Sequence, residues 1–348
     1  MSSLPRQLAM LCASTWPSQE RLLGNLCEHD PVLGGLAVAE VCSGGKHLRA
    51  VLPLAALRVL ARDEPSEAAA SAALWFGLAT EILHAGTLCH DDVMDGDSIR
   101  RGRVTAWQRY GVAQAVTLGD YLFYLANEAI HRADLGAEAT ALALRLVSRA
   151  ARTLAEGQGL ENQLFSRCAL PTRAEVVNVA RGKTGALFGA ALALGGIAGG
   201  VERASLEPLY GLGLGFGLCY QICDDVLDLV GDKGRGERGR DLWEGKPSSV
   251  IALCAEELGE KARRDLVFHL YRPRDRKTRA EIDWLILMLG ETRAIESAKE
   301  LGLREAESIL RQARCVAPGL VAVLHELLSP IATAAQLALP DTPLQAES

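Results

Sequence analysis

Along most of the chain, apolar residues return every three or four positions in stretches of helical length, separated by Gly, Pro or clusters of charge. Alternating β-branched runs bounded by turn signals are nearly absent. The pattern predicts helices over residues 5–28, 31–42, 46–62, 66–95, 111–133, 136–166, 172–182, 184–200, 203–230, 247–258, 260–270, 278–288, 290–314 and 318–336, and so an all-α fold. Three breaks read as loops: the charged stretch Asp97–Thr105, the stretch Gly231–Asp241 in which Gly alternates with charge, and Tyr271–Lys277, where Arg272, Arg274, Arg276 and Lys277 surround Pro273. The basic cluster from Arg272 to Arg279 reads as a solvated loop rather than a membrane contact. A single domain is expected over residues 1–336, followed by a disordered tail over 337–348 that has little to bury.

Composition narrows the function classes. With 348 residues, 49% of them hydrophobic and 23% charged, the chain can bury a sizeable core, which excludes a disordered chain, a collagen-like fibre or a coiled-coil rod. Its 37 basic and 43 acidic side chains leave a net charge of −6, with no positive excess to neutralise a phosphate backbone, so nucleic acid is not an expected partner. The nine cysteines are scattered without a C-x-x-C pair, which disfavours a disulfide framework or a zinc site and fits a reducing, cytoplasmic compartment; Cys219 and Cys223 read as core residues. The run from Leu8 after Arg6 imitates a signal peptide but is short and poorly flanked by Trp16-Pro17. The uncharged stretch Gly185–Val201 falls short of the roughly 20 residues that span a bilayer, so no transmembrane segment is expected.

One short acidic pattern occurs twice. Asp91-Asp92-Val93-Met94-Asp95 closes a helical pattern that begins near Ala68, and Asp224-Asp225-Val226-Leu227-Asp228 repeats its spacing. On a helix, residues four apart are offset by about 40° and rise about 6 Å, so Asp91 and Asp95 project side by side, with Asp92 about 100° round the axis. Three acids within five residues repel one another unless a cation neutralises them, and oxygen-only ligands favour Mg²⁺ or Mn²⁺. A lone D-D-x-x-D is weak evidence; two copies, each at the end of an apolar helix, are much stronger.

Basic residues answer the acids: Lys46 and Arg49 after Gly44-Gly45, then Arg100, Arg101 and Arg103, then Lys183, then Lys246. Acid-bound metal opposite Arg and Lys is the composition of a polyphosphate pocket, and two diphosphates fit it. Gly44-Gly45-Lys46 lacks the Walker spacing and a preceding strand, which disfavours nucleotide hydrolysis.

Taken in order, Gly44-Gly45-Lys46-His47-Leu48-Arg49, His84 to Asp95 with Arg100-Arg101-Gly102, Gly119-Asp120, Lys183-Thr184, Gln221 to Asp228 and Asp241 to Lys246 carry a resemblance that covers about residues 40–255. The chain resembles the trans-isoprenyl diphosphate synthases, the polyprenyl synthetase family. The resemblance implies a helical bundle of the isoprenoid synthase type around a deep apolar cavity, with the acidic motifs facing across its mouth, and a homodimer. It implies that Asp91, Asp95 and Asp224, supported by Asp92, Asp225 and Asp228, hold a Mg²⁺ cluster, about three ions per active site, on the diphosphate of an allylic substrate. Arg100 is implied as a ligand of that diphosphate, and Lys46, Arg49, His84 and Arg101 as the isopentenyl diphosphate site. Lys183, Thr184 and Gln221 resemble the catalytic lining of the allylic site, and Lys246 a further phosphate contact. The chain departs from the family pattern at His47 (usually Arg), Ala50 (usually Pro), Gly236-Glu237 and Pro247-Ser248-Ser249-Val250, and none of these changes removes a metal carboxylate.

In such enzymes the growing product extends along the helix carrying the first acidic motif, and bulky residues about one turn before that motif act as a floor. Here those positions are the small Gly86 and Thr87, with Leu83 a turn further down and Phe123 or Tyr124 on the next helix as a deeper floor. The expected product is longer than C15: a medium or long polyprenyl diphosphate, with geranylgeranyl diphosphate as the alternative. A terpene cyclase is disfavoured by the isopentenyl diphosphate set, and a non-catalytic regulatory subunit by the intact aspartates.

Overall fold

The computed structural model describes residues 6–230 and 238–340. Its helices in the first half are α1 (Arg6–Cys27), α2 (Gly34–Val41), α3 (Leu48–Leu60), α4 (Glu67–Asp95), α5 (Ala106–Tyr110), α6 (Val112–His131) and α7 (Ala137–Ser166). The second half adds α8 (Arg173–Val179), α9 (Ala186–Ala198), α10 (Leu206–Val230), α11 (Arg240–Glu244), α12 (Ser249–Glu257), α13 (Glu260–Leu270), α14 (Arg279–Glu291), α15 (Ala294–Val316) and α16 (Gly319–Ala334). The fold is all-α, as the hydrophobic period predicts.

Helix ends fall where capping chemistry stops the backbone. Ser66 Oγ accepts the Ala69 N–H at 3.2 Å to start α4, and Gly96, at φ 68°, ends it. Reciprocal Thr/Glu caps start α8 (Thr172 with Glu175) and α14 (Thr278 with Glu281). The predicted helix over 172–182 instead gives way after Val179 to a π-helical turn, Ala180–Gly185. Within the predicted loop Asp97–Thr105, Ile99–Arg100 (β1) and Arg103–Val104 (β2) pair antiparallel around Arg101 and Gly102, both at positive φ as a two-residue hairpin turn requires.

Contacts divide the chain into two compact units. The N-terminal unit comprises Arg6–Ala151 and Leu187–Gly213; the C-terminal unit comprises Arg152–Ala186 and the described residues of Leu214–Ser348. In the N-terminal unit α4 packs most extensively on α6 and α3 and is buried along most of its length. By length and apolar composition alone α4 could cross a membrane, but 72% of its most apolar window is covered by the protein itself. In the C-terminal unit α12 packs on α15 and α8, and α15 on α16.

Three expectations change at the C-terminal side. Leu337 is buried and its N–H reaches the Ala332 carbonyl at 2.8 Å, so packed chain continues past residue 336; residues 341–348, most of the predicted tail, lie outside the described residues. The loop Gly231–Asp241 lies outside them over 231–237, and its last residues begin α11. The stretch read as a solvated basic loop is divided: Arg274 and Arg276 are exposed, but Lys277 is buried.

Candidate active site

The N-terminal unit gathers the first set of residues at the C-terminal end of α4. Asp91, Asp92 and Asp95 occupy its last turn, with Asp92 buried and the other two partly exposed. Gly96 turns the chain so that the β1–β2 hairpin folds back, and Arg100 Nε donates to Asp92 Oδ1 at 2.5 Å while its Nη2 reaches Asp97 Oδ2 at 3.5 Å. Burial raises the Asp92 carboxyl to about 6, against the pull of Arg100.

The hairpin also carries Arg101 to the glycine loop. Arg101 Nη1 donates to the Gly44 carbonyl and lies 3.5 Å from Ser43 Oγ. Gly45 takes a φ of 135°, which L side chains rarely adopt, so the loop before Lys46 needs glycine there; a Cβ would also stand 2.9 Å from the Arg101 guanidinium carbon. His47 takes a left-handed φ of 47°, held by stacking on Trp16 at 3.6 Å and by the Nδ1 contact of 3.2 Å to buried Glu81. Arg49 lays its guanidinium over the Phe188 ring at 4.3 Å. His84 is held well below the usual imidazole pKa, by burial first and then by Arg49, Arg101, Arg100 and His47, so its ring is neutral. A pocket open to solvent is lined by His84, Glu81, Asp92, Arg100 and Arg101. Of the predicted isopentenyl diphosphate residues, His84 and Arg101 line it directly, Arg49 acts on His84 electrostatically, and Lys46 follows the loop against Arg101.

Further along the same helix the chain-length residues Leu83, Gly86 and Thr87 are all buried. The volume that Gly86 leaves is not empty: a Cβ there would meet the Phe123 ring at 2.8 Å and the Gly119 carbonyl at 3.0 Å. Phe123 of α6 therefore stands at the level of Gly86, not deeper, and small size at Gly86 reflects close packing of α4 on α6.

The C-terminal unit holds the second set. Thr184, on the π-helical turn, donates from Oγ1 to Gln221 Oε1 at 2.8 Å; Gln221 Nε2 donates to Asp225 Oδ1 at 2.9 Å; and the Ser249 N–H and Oγ reach Asp225 Oδ2 at 2.7 and 2.8 Å. Burial leads again, raising Asp225 to about 6. Ser249 is thus the consequence of the unusual Pro247-Ser248-Ser249: one serine caps α12 through Ile251 N–H and the next holds Asp225. Asp228 Oδ2 accepts the Asp241 N–H at 3.1 Å. Lys183 Nζ pairs with Glu161 at 2.6 Å and Lys246 Nζ with Glu244 at 2.7 Å.

Both sets offer hard oxygen donors and no soft ligand. Among the described residues no three carboxylate, imidazole or thiolate groups already converge on one point. Such oxygen donors suit a hard divalent cation that keeps waters and binds through one or two carboxylates plus substrate phosphates.

The Polyprenyl synthetase family model matches residues 32–289. The chain belongs to the polyprenyl synthetase family. This synthase is 33% identical over 227 residues to the short chain isoprenyl diphosphate synthase of Methanocaldococcus jannaschii, covering 65% of the present chain and 67% of the relative. Its fold matches the crystal structure of geranylgeranyl pyrophosphate synthetase from Pyrococcus horikoshii with a TM-score of 0.83 at 28% identity, over 94% of this chain and 98% of the other. It also matches the polyprenyl synthase of Caulobacter crescentus complexed with calcium and isoprenyl diphosphate, with a TM-score of 0.81 at 27% identity, over 97% and 99%.

Several side chains of the synthase carry no local signal in the sequence. Glu81 and Glu161 each hold a base predicted for the site or its neighbour, from 34 and 22 residues away. His90 fixes α6 against the first acidic motif: its Nε2 lies 3.1 Å from the Val116 carbonyl, and a Cβ on Gly119 would stand 2.3 Å from it. The Gly119-Asp120 pair was legible only as part of the family pattern; its physical role is this ring contact.

Proposed function

We propose that this synthase condenses isopentenyl diphosphate with an allylic diphosphate to give a trans product one C5 unit longer per cycle. The observation that carries the reading is the pocket beside Asp92, where a neutral His84 stands among Arg100, Arg101 and, through its field, Arg49: an anion site next to a carboxylate set suited to Mg²⁺. Lys46, Arg49, His84 and Arg101 would hold isopentenyl diphosphate; Arg100 and Lys246 the allylic diphosphate; Asp91, Asp92, Asp95, Asp224, Asp225 and Asp228 Mg²⁺, with Mn²⁺ an alternative. Bound metal neutralises charge developing on the leaving diphosphate. Thr184 and Gln221 would keep Asp225 oriented, and Lys183, paired with Glu161, would line the allylic side. The allylic C–O bond breaks, the isopentenyl double bond attacks the cation, and a proton leaves to the released diphosphate.

The product is proposed to exceed C15, a medium or long polyprenyl diphosphate. Geranylgeranyl diphosphate is the alternative. The chain is proposed to act as one prenyltransferase domain that includes the packed Leu337, and as a homodimer, with the exposed Val112, Val116 and Tyr124 of α6 supplying apolar surface. Transfer of labelled isopentenyl diphosphate onto an allylic primer, dependent on Mg²⁺ and abolished by a chelator, tests the reading; no incorporation under any metal condition would contradict it.

A further inference from the structure

Lys277 is an unusual lysine: it is buried, and its Nζ donates to three main-chain carbonyls, Leu242 at 2.5 Å, Trp243 at 2.9 Å and Leu270 at 2.7 Å. An ammonium has three N–H donors, so the three acceptors use all of them. Leu242 and Trp243 lie in the last turn of α11 and Leu270 closes α13, so one cation joins carbonyls at two helix ends; the Leu242 carbonyl also accepts the Gly245 N–H at 3.2 Å. Helix α11 is only five residues long and too short to hold itself. Its front is tied to the second acidic motif, through Asp241 N–H to Asp228 Oδ2 and Gly239 N–H to the Asp228 carbonyl at 3.0 Å. Its back is tied by Lys277, and Lys246 follows directly after Gly245.

We infer that Lys277 is a positioning residue for the diphosphate site: by clamping the end of α11 it fixes the place of Lys246. The inference rests on the reading that Lys246 contacts substrate diphosphate.

The clamp is sensitive to pH. Burial brings Lys277 down to about 8, with Arg274 of the turn before it acting in the same direction, against Glu281 of α14 and Glu244 of α11. A neutral amine keeps two N–H donors for three carbonyls, so the clamp weakens as pH rises through 8. Because the folded value lies below the unfolded one, the unfolded chain binds more protons between about 8 and 10.4, and this group's contribution to global stability rises with pH there. Local loosening and global stability therefore move in opposite directions, and a KM raised more than kcat is lowered is the readout that separates positioning from mere structure.

The test compares wild type, Lys277→Met and Lys277→Arg by amide hydrogen exchange across 240–246, melting temperature, affinity for Mg²⁺-diphosphate, and kcat and KM for the allylic substrate. Wild-type protection at Gly245 and Lys246, corrected for intrinsic exchange, should fall about tenfold between pH 7 and 9, the worth of one hydrogen bond. Lys277→Met should show the low protection at both pH values, with diphosphate affinity about tenfold weaker and KM raised more than kcat is lowered. Lys277→Arg, charged throughout, should lose the pH dependence. Wild-type protection that does not change with pH, or a folded Lys277→Met with unchanged protection and affinity, would overturn the inference. Wild type that binds Mg²⁺-diphosphate but extends no primer would instead overturn the synthase reading, leaving exchange and affinity to judge Lys277; should Lys277→Met not fold, the wild-type pH series and Lys277→Arg decide.

Discussion

Arg100 and Asp92 join the β1–β2 hairpin to the end of α4 through a single 2.5 Å contact, Nε to Oδ1. The carboxylate is buried and the guanidinium only partly exposed, so each is the other's main charge compensation. Replacing Arg100 by Ala should destabilise the protein by up to about 3 kcal/mol, because Asp92 then either keeps a buried charge without a partner or takes up a proton to lose it. Arg100→Lys should recover only part of that, since a point charge does not reach Asp92 and Asp97 together as the guanidinium fork does. Denaturant unfolding of the two variants checks both statements.

Magnesium binding should release protons at pH 6 and hardly any at pH 8. Asp92 and Asp225 are both raised to about 6 by burial, so at pH 6 each is about half protonated, and the ion favours the charged form. Their folded values lie above the unfolded carboxylate range, so the metal-free folded state binds more protons between about 4 and 6, and its stability falls as pH rises through that window. Calorimetry in two buffers of different ionisation enthalpy should read about one proton released at pH 6. Equal release at both pH values would contradict it.

His84 should contribute no ionisation to kcat/KM of the free enzyme between pH 6 and 8, since burial and four neighbouring bases keep it neutral. His84→Ala should raise KM for isopentenyl diphosphate about tenfold, the loss of one hydrogen bond to a charged group, and leave kcat nearly unchanged. A pH profile that shifts in this variant would show the imidazole to be titrating.

Much of the site was legible because helical spacing alone brings it together. Asp91 and Asp95 share a turn, as do Asp224 and Asp228, and the apolar run before each motif announced the buried helix. Less was legible where a residue's role depends on a distant partner: Glu81 holds His47 from 34 positions away, and Ser249 holds Asp225 from 24. Lys277 misled for the same reason, because its neighbours Arg274 and Arg276 are exposed and only the carbonyls of α11 and α13 draw it inward. Gly86 was correctly seen as small, but whether a small residue borders a tunnel or a neighbouring helix is a tertiary fact, and here the neighbour is Phe123.

Phe123→Ala should lengthen the product by one or more C5 units, by opening the space beside Gly86. Gly86→Phe should destabilise the protein by about 1–3 kcal/mol through overpacking against Phe123 and the Gly119 carbonyl, and the double variant Gly86→Phe/Phe123→Ala should recover part of the loss. Product masses and melting temperatures of the three variants check this; an unchanged product in Phe123→Ala would show that the chain grows elsewhere.

The most direct measurement incubates the protein with Mg²⁺, isopentenyl diphosphate and, separately, C5, C10, C15 and C20 allylic diphosphates, and identifies products by mass spectrometry beside Asp91→Asn and Asp224→Asn. The account predicts a ladder of C5 additions reaching beyond C15 in wild type, and its loss in both variants. Release of diphosphate with every primer left unextended would contradict it.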